Sequence, residues 1–293
     1  MGQALAAAHP ICRDTFAEAD EALGFPISRL CFDGPEDQLT LTEHQQPAIL
    51  TVSVAAHRLV ASMGLTASFV AGHSLGEYSA NVAAGTLSFA DAVRAVRNRG
   101  RYMQEAVPVG TGAMAAVLGL DASVVAQACA EAANGEVVTP ANMNGGGQVV
   151  IAGAKDAVAR AGERARALGA RRVVPLSVSA PFHCLLMKPA EERLAPELRA
   201  LTVHDPVPPV VANVDATPKT RAVDAIDALV AQICSPVLWE DVVRRLASEG
   251  VTTYVELGPG TVLSGMVRRI QKDASIANVG TPDDLPSLEA LRV

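Results

Sequence analysis

Ser74 stands in Gly72-His73-Ser74-Leu75-Gly76, a G-x-S-x-G pentapeptide. Phe69, Val70 and Ala71 before it form a short apolar run, and Glu77 to Ala84 after it are good helix formers. Strand, tight glycine-flanked turn and helix is the setting in which this pentapeptide makes a nucleophile elbow. The turn is strained and the helix packs close to the strand, so small flanking residues are expected. The serine hydroxyl is then lifted above a sheet edge, with the Leu75 N–H and the positive helix end facing the place where an oxyanion develops.

A serine is a weak nucleophile until a base takes its proton. Six histidines are available. His9, His44 and His57 fall on early helices and read as surface or packing residues. His73 adjoins the nucleophile, but neighbours on a tight turn point apart. His204 lies in a proline-flanked, surface-like stretch. His183, beside Phe182 on a loop at the mouth of a helix, is the leading candidate base.

These groups need a scaffold, and the chain reads as alternating helices and strands. Gly2 to Gly24 is helix interrupted at Pro10, and Ile27 to Leu39 is irregular with short helical turns. Thr42, with Gln45 three residues on, is expected to cap a long helix running through Pro47 towards Met63. Ser88 with Asp91 caps a further helix that ends before Pro108. From Thr111 the texture changes to strand 112–118, a helix opened by Asp121, strands 137–144 and 148–153 around Gly145-Gly146-Gly147, helix 154–168 and strand 171–178. That β-α-β-β-α-β order is the ferredoxin-like pattern. The triple glycine lacks the Lys-Ser/Thr of a phosphate loop and reads as a hairpin turn. Beyond the Ser179–Cys184 loop come helix 185–201, an apolar strand 206–215, helices near 222–234 and 238–249, and strand 253–257. A turn at Gly258-Pro259-Gly260, a helix to Lys272 and a short tail follow. The expected fold is α/β: a parallel-sheet large domain (1–109 and 179–293) with an inserted ferredoxin-like subdomain (110–178).

The 293 residues are enough for this arrangement, and 49% are hydrophobic with only 3% aromatic, so the core is built from Ala, Val and Leu. A formal charge of -7 without any Lys/Arg run argues against a nucleic-acid partner. Five scattered cysteines, never in C-x-x-C spacing, fit reduced thiols in the cytoplasm. No membrane-length apolar stretch and no signal-peptide pattern is seen, so no membrane partner is expected.

GHSLGEYSA, RGRYMQEAVPVGTGAMAAVLG, ANMNGGGQVVIAG, SAPFHCLLMKPA and VELGPGTVLSGM together resemble the malonyl-CoA:acyl-carrier-protein transacylase family of fatty-acid and polyketide synthesis. The resemblance runs from Met1 to about Ile270 and implies that the large domain is α/β-hydrolase-like, with the ferredoxin-like subdomain inserted in it. It implies Ser74 as nucleophile, His183 as its base and Leu75 as oxyanion donor. It also implies a substrate-binding set of Arg99, Met103, Phe182 and Gln232. Arg99 matches the arginine that holds the free malonyl carboxylate, for which a planar guanidinium fork is suited. Read alone, beside Arg94, Arg97 and Arg101, it is an ordinary solvated charge. Gln232 matches a position where a main-chain carbonyl, rather than an aspartate, orients the histidine, giving a dyad rather than a triad. Phe182 resembles the malonyl-selective form of its loop, and Met103, one helical turn beyond Arg99, lines the acyl pocket. Cys184 reads as a small buried filler.

The resemblance implies malonyl-CoA as substrate, an acyl carrier protein as partner, a monomer, and neither metal nor cofactor. Lys188, Arg171 and Arg172 are candidates for docking an acidic carrier. One departure stands out. Relatives begin with a strand and an F-P-G-Q-G-S-Q-like loop that supplies a second oxyanion donor, whereas this chain opens at the following helix. Gln3 is not the missing residue, and a start cut short is the expectation. Losing such a donor costs on the order of 10² to 10³ in rate. Two other readings remain open, an acyl hydrolase on the same fold and an inactive carrier-binding scaffold.

Overall fold

The computed structural model describes residues 1–178 and 180–289. Helix α1 (Gln3–Ala8) is followed by α2 (Pro10–Leu23), with Pro10 at the first helical position, where a missing N–H costs nothing. Gly24 closes α2 at φ 70°, its N–H reaching the Asp20 and Glu21 carbonyls. The short helices α3 (Ile27–Asp33) and α4 (Glu36–Leu39) lead to α5 (Thr42–Ser62). Ala48, Leu50, Val52, Val54, Ala55 and Ala56 bury α5 nearly all round, as befits a central helix. Its cap differs from the expectation at Thr42. Leu41 occupies the cap, because its carbonyl already accepts from the His44 and Gln45 N–H groups, and Thr42 is the first helical residue.

Strand β1 (Val70–Ala71) enters α6 (Leu75–Ala83), and α7 (Phe89–Glu105) follows. Ser88 caps α7 by accepting from the Asp91 N–H at 3.0 Å. Helix α7 crosses α5 at Gly100, where an added Cβ would stand 2.4 Å from the Thr42 carbonyl oxygen. That close approach brings Arg99 against the first turns of α5.

The chain then builds β2 (Gly112–Leu118), α8 (Ala122–Ala132), β3 (Val138–Gly145), β4 (Gln148–Ala154), α9 (Lys155–Ala167) and β5 (Arg172–Pro175). The four strands form one antiparallel sheet in the order β3-β4-β2-β5, the ferredoxin-like arrangement. The period-2 alternation of β2 divides its labour. Ala115 and Val117 pack with α8 and α9, whereas Met114 and Ala116 pack with Cys184 and half-buried Phe182. One face of the small sheet therefore braces the loop that carries His183. The β5 strand is shorter than the expected 171–178, and Ser179, at the start of the predicted loop, lies outside the described residues.

Helix α10 (Lys188–Arg199) follows a 3-10 turn, and β6 (Val210–Val211) and β7 (Pro218–Lys219) come next. The expected strand 206–215 contracts to two residues because Pro206, Pro208 and Pro209 lack the N–H a ladder needs. After α11 (Ala222–Gln232) and α12 (Trp239–Ser248), β8 (Thr253–Leu257), α13 (Val262–Ile270) and β9 (Ser275–Val279) close the fold. Strand β9 falls where a tail is predicted. Its five-residue parallel pairing with β8 is a tertiary contact that local pattern does not announce. Strand β1 runs parallel to β6, and β6 antiparallel to β7. The molecule is an α/β fold with parallel pairs in its larger part and a ferredoxin-like antiparallel sheet beside them. No described helix is long and apolar enough to cross a membrane.

Gly100→Ala should push α7 off α5. Overpacking of this kind costs about 1–3 kcal/mol, so a lowered urea midpoint is expected; an unchanged midpoint would show that the crossing relaxes freely.

Candidate active site

Ser74 sits between β1 and α6 with φ 53° and ψ -106°, a strained backbone for a residue bearing a Cβ. Gly72 makes the turn possible, since a Cβ there would lie 2.0 Å from the Gly76 carbonyl. The second glycine is different, because a Cβ on Gly76 would meet nothing within 4 Å. Leu75 opens α6, so its N–H belongs to the helix's first turn, where intrahelical acceptors are lacking. Asn213, just beyond β6, holds the elbow from the neighbouring strand. Its Oδ1 accepts from the Ser74 N–H at 2.7 Å, and its Nδ2 donates to the Gly72 carbonyl at 2.7 Å.

His183 is buried, with φ 60°, on the loop backed by β2. Its Nε2 lies 2.7 Å from Ser74 Oγ and its Nδ1 lies 2.9 Å from the Gln232 carbonyl. A carbonyl only accepts, so Nδ1 carries the proton and Nε2 presents a lone pair to the serine O–H. Burial foremost, then the nearby Arg99 charge, pushes the His183 pKa down to about 3, against the pull of the Gln232 carbonyl. The ring is thus a neutral base at physiological pH. Unfolded, the same ring protonates near 6.5. The unfolded chain binds more protons between those values, so this group erodes stability as pH falls below 6.5.

Arg99 is only 2% exposed, while Arg94 and Arg101 on the same helix lie in solvent. Its Nη1 donates to Gln46 Oε1 at 2.7 Å, and its Nη2 to Gln232 Oε1 and to Ser74 Oγ, each at 3.0 Å. Its guanidinium carbon lies 5.5 Å from the centroid of the buried Tyr78 ring, and its Nε has no partner among the described residues. Gln232 Nε2 donates to the Ser74 carbonyl at 3.0 Å and to Glu77 Oε2 at 2.6 Å. Met103 is buried one turn along α7, with its sulfur 4.0 Å from Gln46 Nε2. His73 turns away from the serine and meets Asn144 Oδ1 of β3 at 3.0 Å. Cys184 is buried, its thiol donating to the Pro181 carbonyl.

Ser74, His183, Arg99 and the Gln232 carbonyl and amide therefore share one buried cluster, with Leu75 beside it and Met103 and Phe182 at its borders. Sequence reasoning misses Gln46, Glu77, Asn213 and Asn144. Glu77 had a signal, being a lone acid in an otherwise uncharged helix; Asn213, a polar residue closing an apolar strand, had a weaker one. Among the described residues no cluster of His, Cys, Asp and Glu suited to a metal ion is present.

The family model described as "Acyl transferase domain" matches residues 1–284. The chain is 52% identical over 280 residues to the malonyl CoA-acyl carrier protein transacylase of Escherichia coli K12, covering 95% of this chain and 90% of that one. It belongs to the malonyl-CoA:acyl-carrier-protein transacylase family. Another member, from Bacillus subtilis strain 168, is 46% identical over 286 residues, 97% of this chain and 90% of the relative. The acyl carrier protein S-malonyltransferase of Vibrio cholerae O1 superposes with a TM-score of 0.96 at 47% identity, covering 98% of this chain and 94% of that one. A malonyl-transacylase solved with a type II polyketide-synthase acyl-carrier protein superposes at 0.95 with 46% identity, covering 98% and 93%. Ser74 thus stands against a neutral histidine and a buried arginine.

Inactivation of Ser74 by an uncharged fluorophosphonate should show no inflection at the ordinary histidine value and stay flat down to about pH 5. Removing Arg99 takes away one cause of the depressed pKa, so the acid limb should move upward in Arg99→Ala. An inflection near pH 6.5 in the native protein would contradict the assignment.

Proposed function

We propose that this transacylase moves a malonyl group from malonyl-CoA to the phosphopantetheine thiol of an acyl carrier protein through a malonyl-Ser74 ester. His183 Nε2 takes the Ser74 proton as Oγ attacks the thioester carbonyl, and the developing oxyanion faces the Leu75 N–H and the positive end of α6. The tetrahedral intermediate collapses, the C–S bond breaks, and the leaving thiol takes the proton from His183. The carrier's thiol then gives its proton to His183 and attacks the ester; the C–O bond to Ser74 breaks, Oγ takes the proton back from His183, and the malonyl group leaves on the carrier. Every proton in this cycle passes through Nε2, while the Gln232 carbonyl keeps the other nitrogen protonated.

The observation that carries the reading is Arg99, a buried cation 3.0 Å from the nucleophile and satisfied there only by neutral acceptors. An acyl group ending in a carboxylate gives that fork a charged, bidentate partner, a stronger one than two amide oxygens and a hydroxyl. An unspecialised hydrolase needs no such cation, and the assembled dyad speaks against an inactive scaffold. In this reading Met103 and Phe182 border the acyl group. Residues 1–109 and 179–293 act as the catalytic domain, and 110–178 as an inserted subdomain bracing the His183 loop. Arg171, Arg172 and Lys188 are exposed, though Lys188 is already paired with Glu191, which leaves the two arginines better placed to meet an acidic carrier. All five cysteines are free and four are buried, which fits reduced thiols in the cytoplasm.

Intact mass after mixing with malonyl-CoA should show a malonyl adduct that maps to Ser74 and moves to added holo-carrier protein. Ser74→Ala should form none. Arg99→Ala should lose malonyl transfer by roughly 10²-fold or more while keeping slow acetyl transfer. Undiminished malonyl transfer in Arg99→Ala would refute the carboxylate clamp, and release of malonate to water in preference to the carrier would favour the hydrolase.

A further inference from the structure

Glu77 is 1% exposed in the first turn of α6, three residues after the nucleophile, and the chemistry above does not use it. Among the described residues no cation lies within ion-pair distance of it. One oxygen, Oε2, accepts both from Gln232 Nε2 at 2.6 Å and from the Asn213 main-chain N–H at 3.0 Å. Both donors belong to residues that hold the site. Asn213 grips the elbow at the Ser74 N–H and the Gly72 carbonyl, and Gln232 holds His183 through its carbonyl and Arg99 through its side chain.

The Gln232 amide has two orientations, and its surroundings distinguish them. As found, Nε2 faces three acceptors, Glu77 Oε2, the Ser74 carbonyl and, at 3.4 Å, Asn213 Oδ1, while Oε1 faces the Arg99 donor. Turned over, oxygen would face oxygen on one side and N–H would face guanidinium N–H on the other. Each buried mismatch leaves a polar group unsatisfied. The Glu77 contact is the shortest of the three on the amide nitrogen, and its acceptor is a carboxylate oxygen. The positive end of α6 favours an acid at this position, and burial raises the Glu77 pKa to about 7 against the pull of its donors and of Arg99.

We propose that Glu77 is a positioning residue for acyl selection: by anchoring the Gln232 amide and the Asn213 backbone it keeps the Arg99 fork aligned for an acyl group ending in a carboxylate. The inference rests on the transacylase reading above. The length and acceptor capacity of the side chain at position 77 carry the effect, rather than its net charge.

Two conservative variants separate these properties. Glu77→Gln keeps the length and one acceptor oxygen and removes the charge. Glu77→Asp keeps the charge and withdraws the carboxylate by one methylene. Both are compared with the native enzyme for kcat and KM with malonyl-CoA and with acetyl-CoA, with Tm recorded alongside. Glu77→Asp should lower the malonyl-over-acetyl preference by about 10-fold, mostly through the malonyl KM, and Glu77→Gln should keep it within about 3-fold. The reverse order would make Glu77 a counter-charge and overturn the proposal. Lowered Tm with unchanged preference in both variants would reduce it to a packing role and overturn it equally. Failure of the native enzyme to form malonyl-Ser74 would instead refute the transacylase reading, so the two failures are told apart.

Discussion

Gln232 joins everything the site needs. Its carbonyl fixes the tautomer of His183, its amide oxygen accepts a hydrogen bond from Arg99, and its amide nitrogen ties the Ser74 backbone to Glu77. These contacts come from one buried residue at the end of α11, and they link groups contributed by the elbow, α6, α7 and the loop before α10. A Ser-His pair elsewhere uses an aspartate to hold the imidazole. Here the holder is neutral, so the ring feels no carboxylate and its basicity is governed by burial and by Arg99. The result is a base that stays unprotonated in the presence of a neighbouring cation.

The cation and the buried acid are kept apart by that same amide. Arg99 and Glu77 do not form an ion pair; they face the two ends of the Gln232 amide dipole, each stabilised by the end of opposite sign. A direct buried pair would leave the guanidinium fork occupied by a carboxylate of the protein. The relay leaves Arg99 with neutral partners, which on the proposed function a substrate carboxylate outcompetes. Pre-organisation of this kind places charge where it will be needed before the substrate arrives.

Much of this was legible in the sequence because it is local. The elbow is a pattern over five residues with strand before and helix after, and the Ser88 cap is a pattern over four. His183 stood out among the six histidines once the elbow was in place, whereas Arg99 and Gln232 became visible only through resemblance, since nothing near Arg99 distinguishes it from the solvated Arg94 and Arg101. Its burial is decided by Gly100 and by the α5–α7 crossing, which join segments about fifty residues apart. Glu77 and Asn213 were missed for the same reason, as their partners lie more than a hundred residues away. Strand β9 is recognisable only against β8, and the proline-rich stretch around β6 reads as longer strand than its missing N–H groups permit. Thr42 had the right type for a cap, but Leu41 supplies the carbonyl that closes the first turn.

The central claim is that the Gln232 carbonyl holds a neutral His183 with its proton on Nδ1 and its lone pair towards Ser74. Nitrogen NMR of histidine-labelled enzyme at neutral pH tests it most directly, with the His183 signals assigned by comparison with a His183→Ala variant. A protonated Nδ1 and an unprotonated Nε2, unchanged as the pH is lowered past 6.5, is the predicted result. A proton on Nε2 at neutral pH, or an imidazolium forming near pH 6.5, would contradict the account.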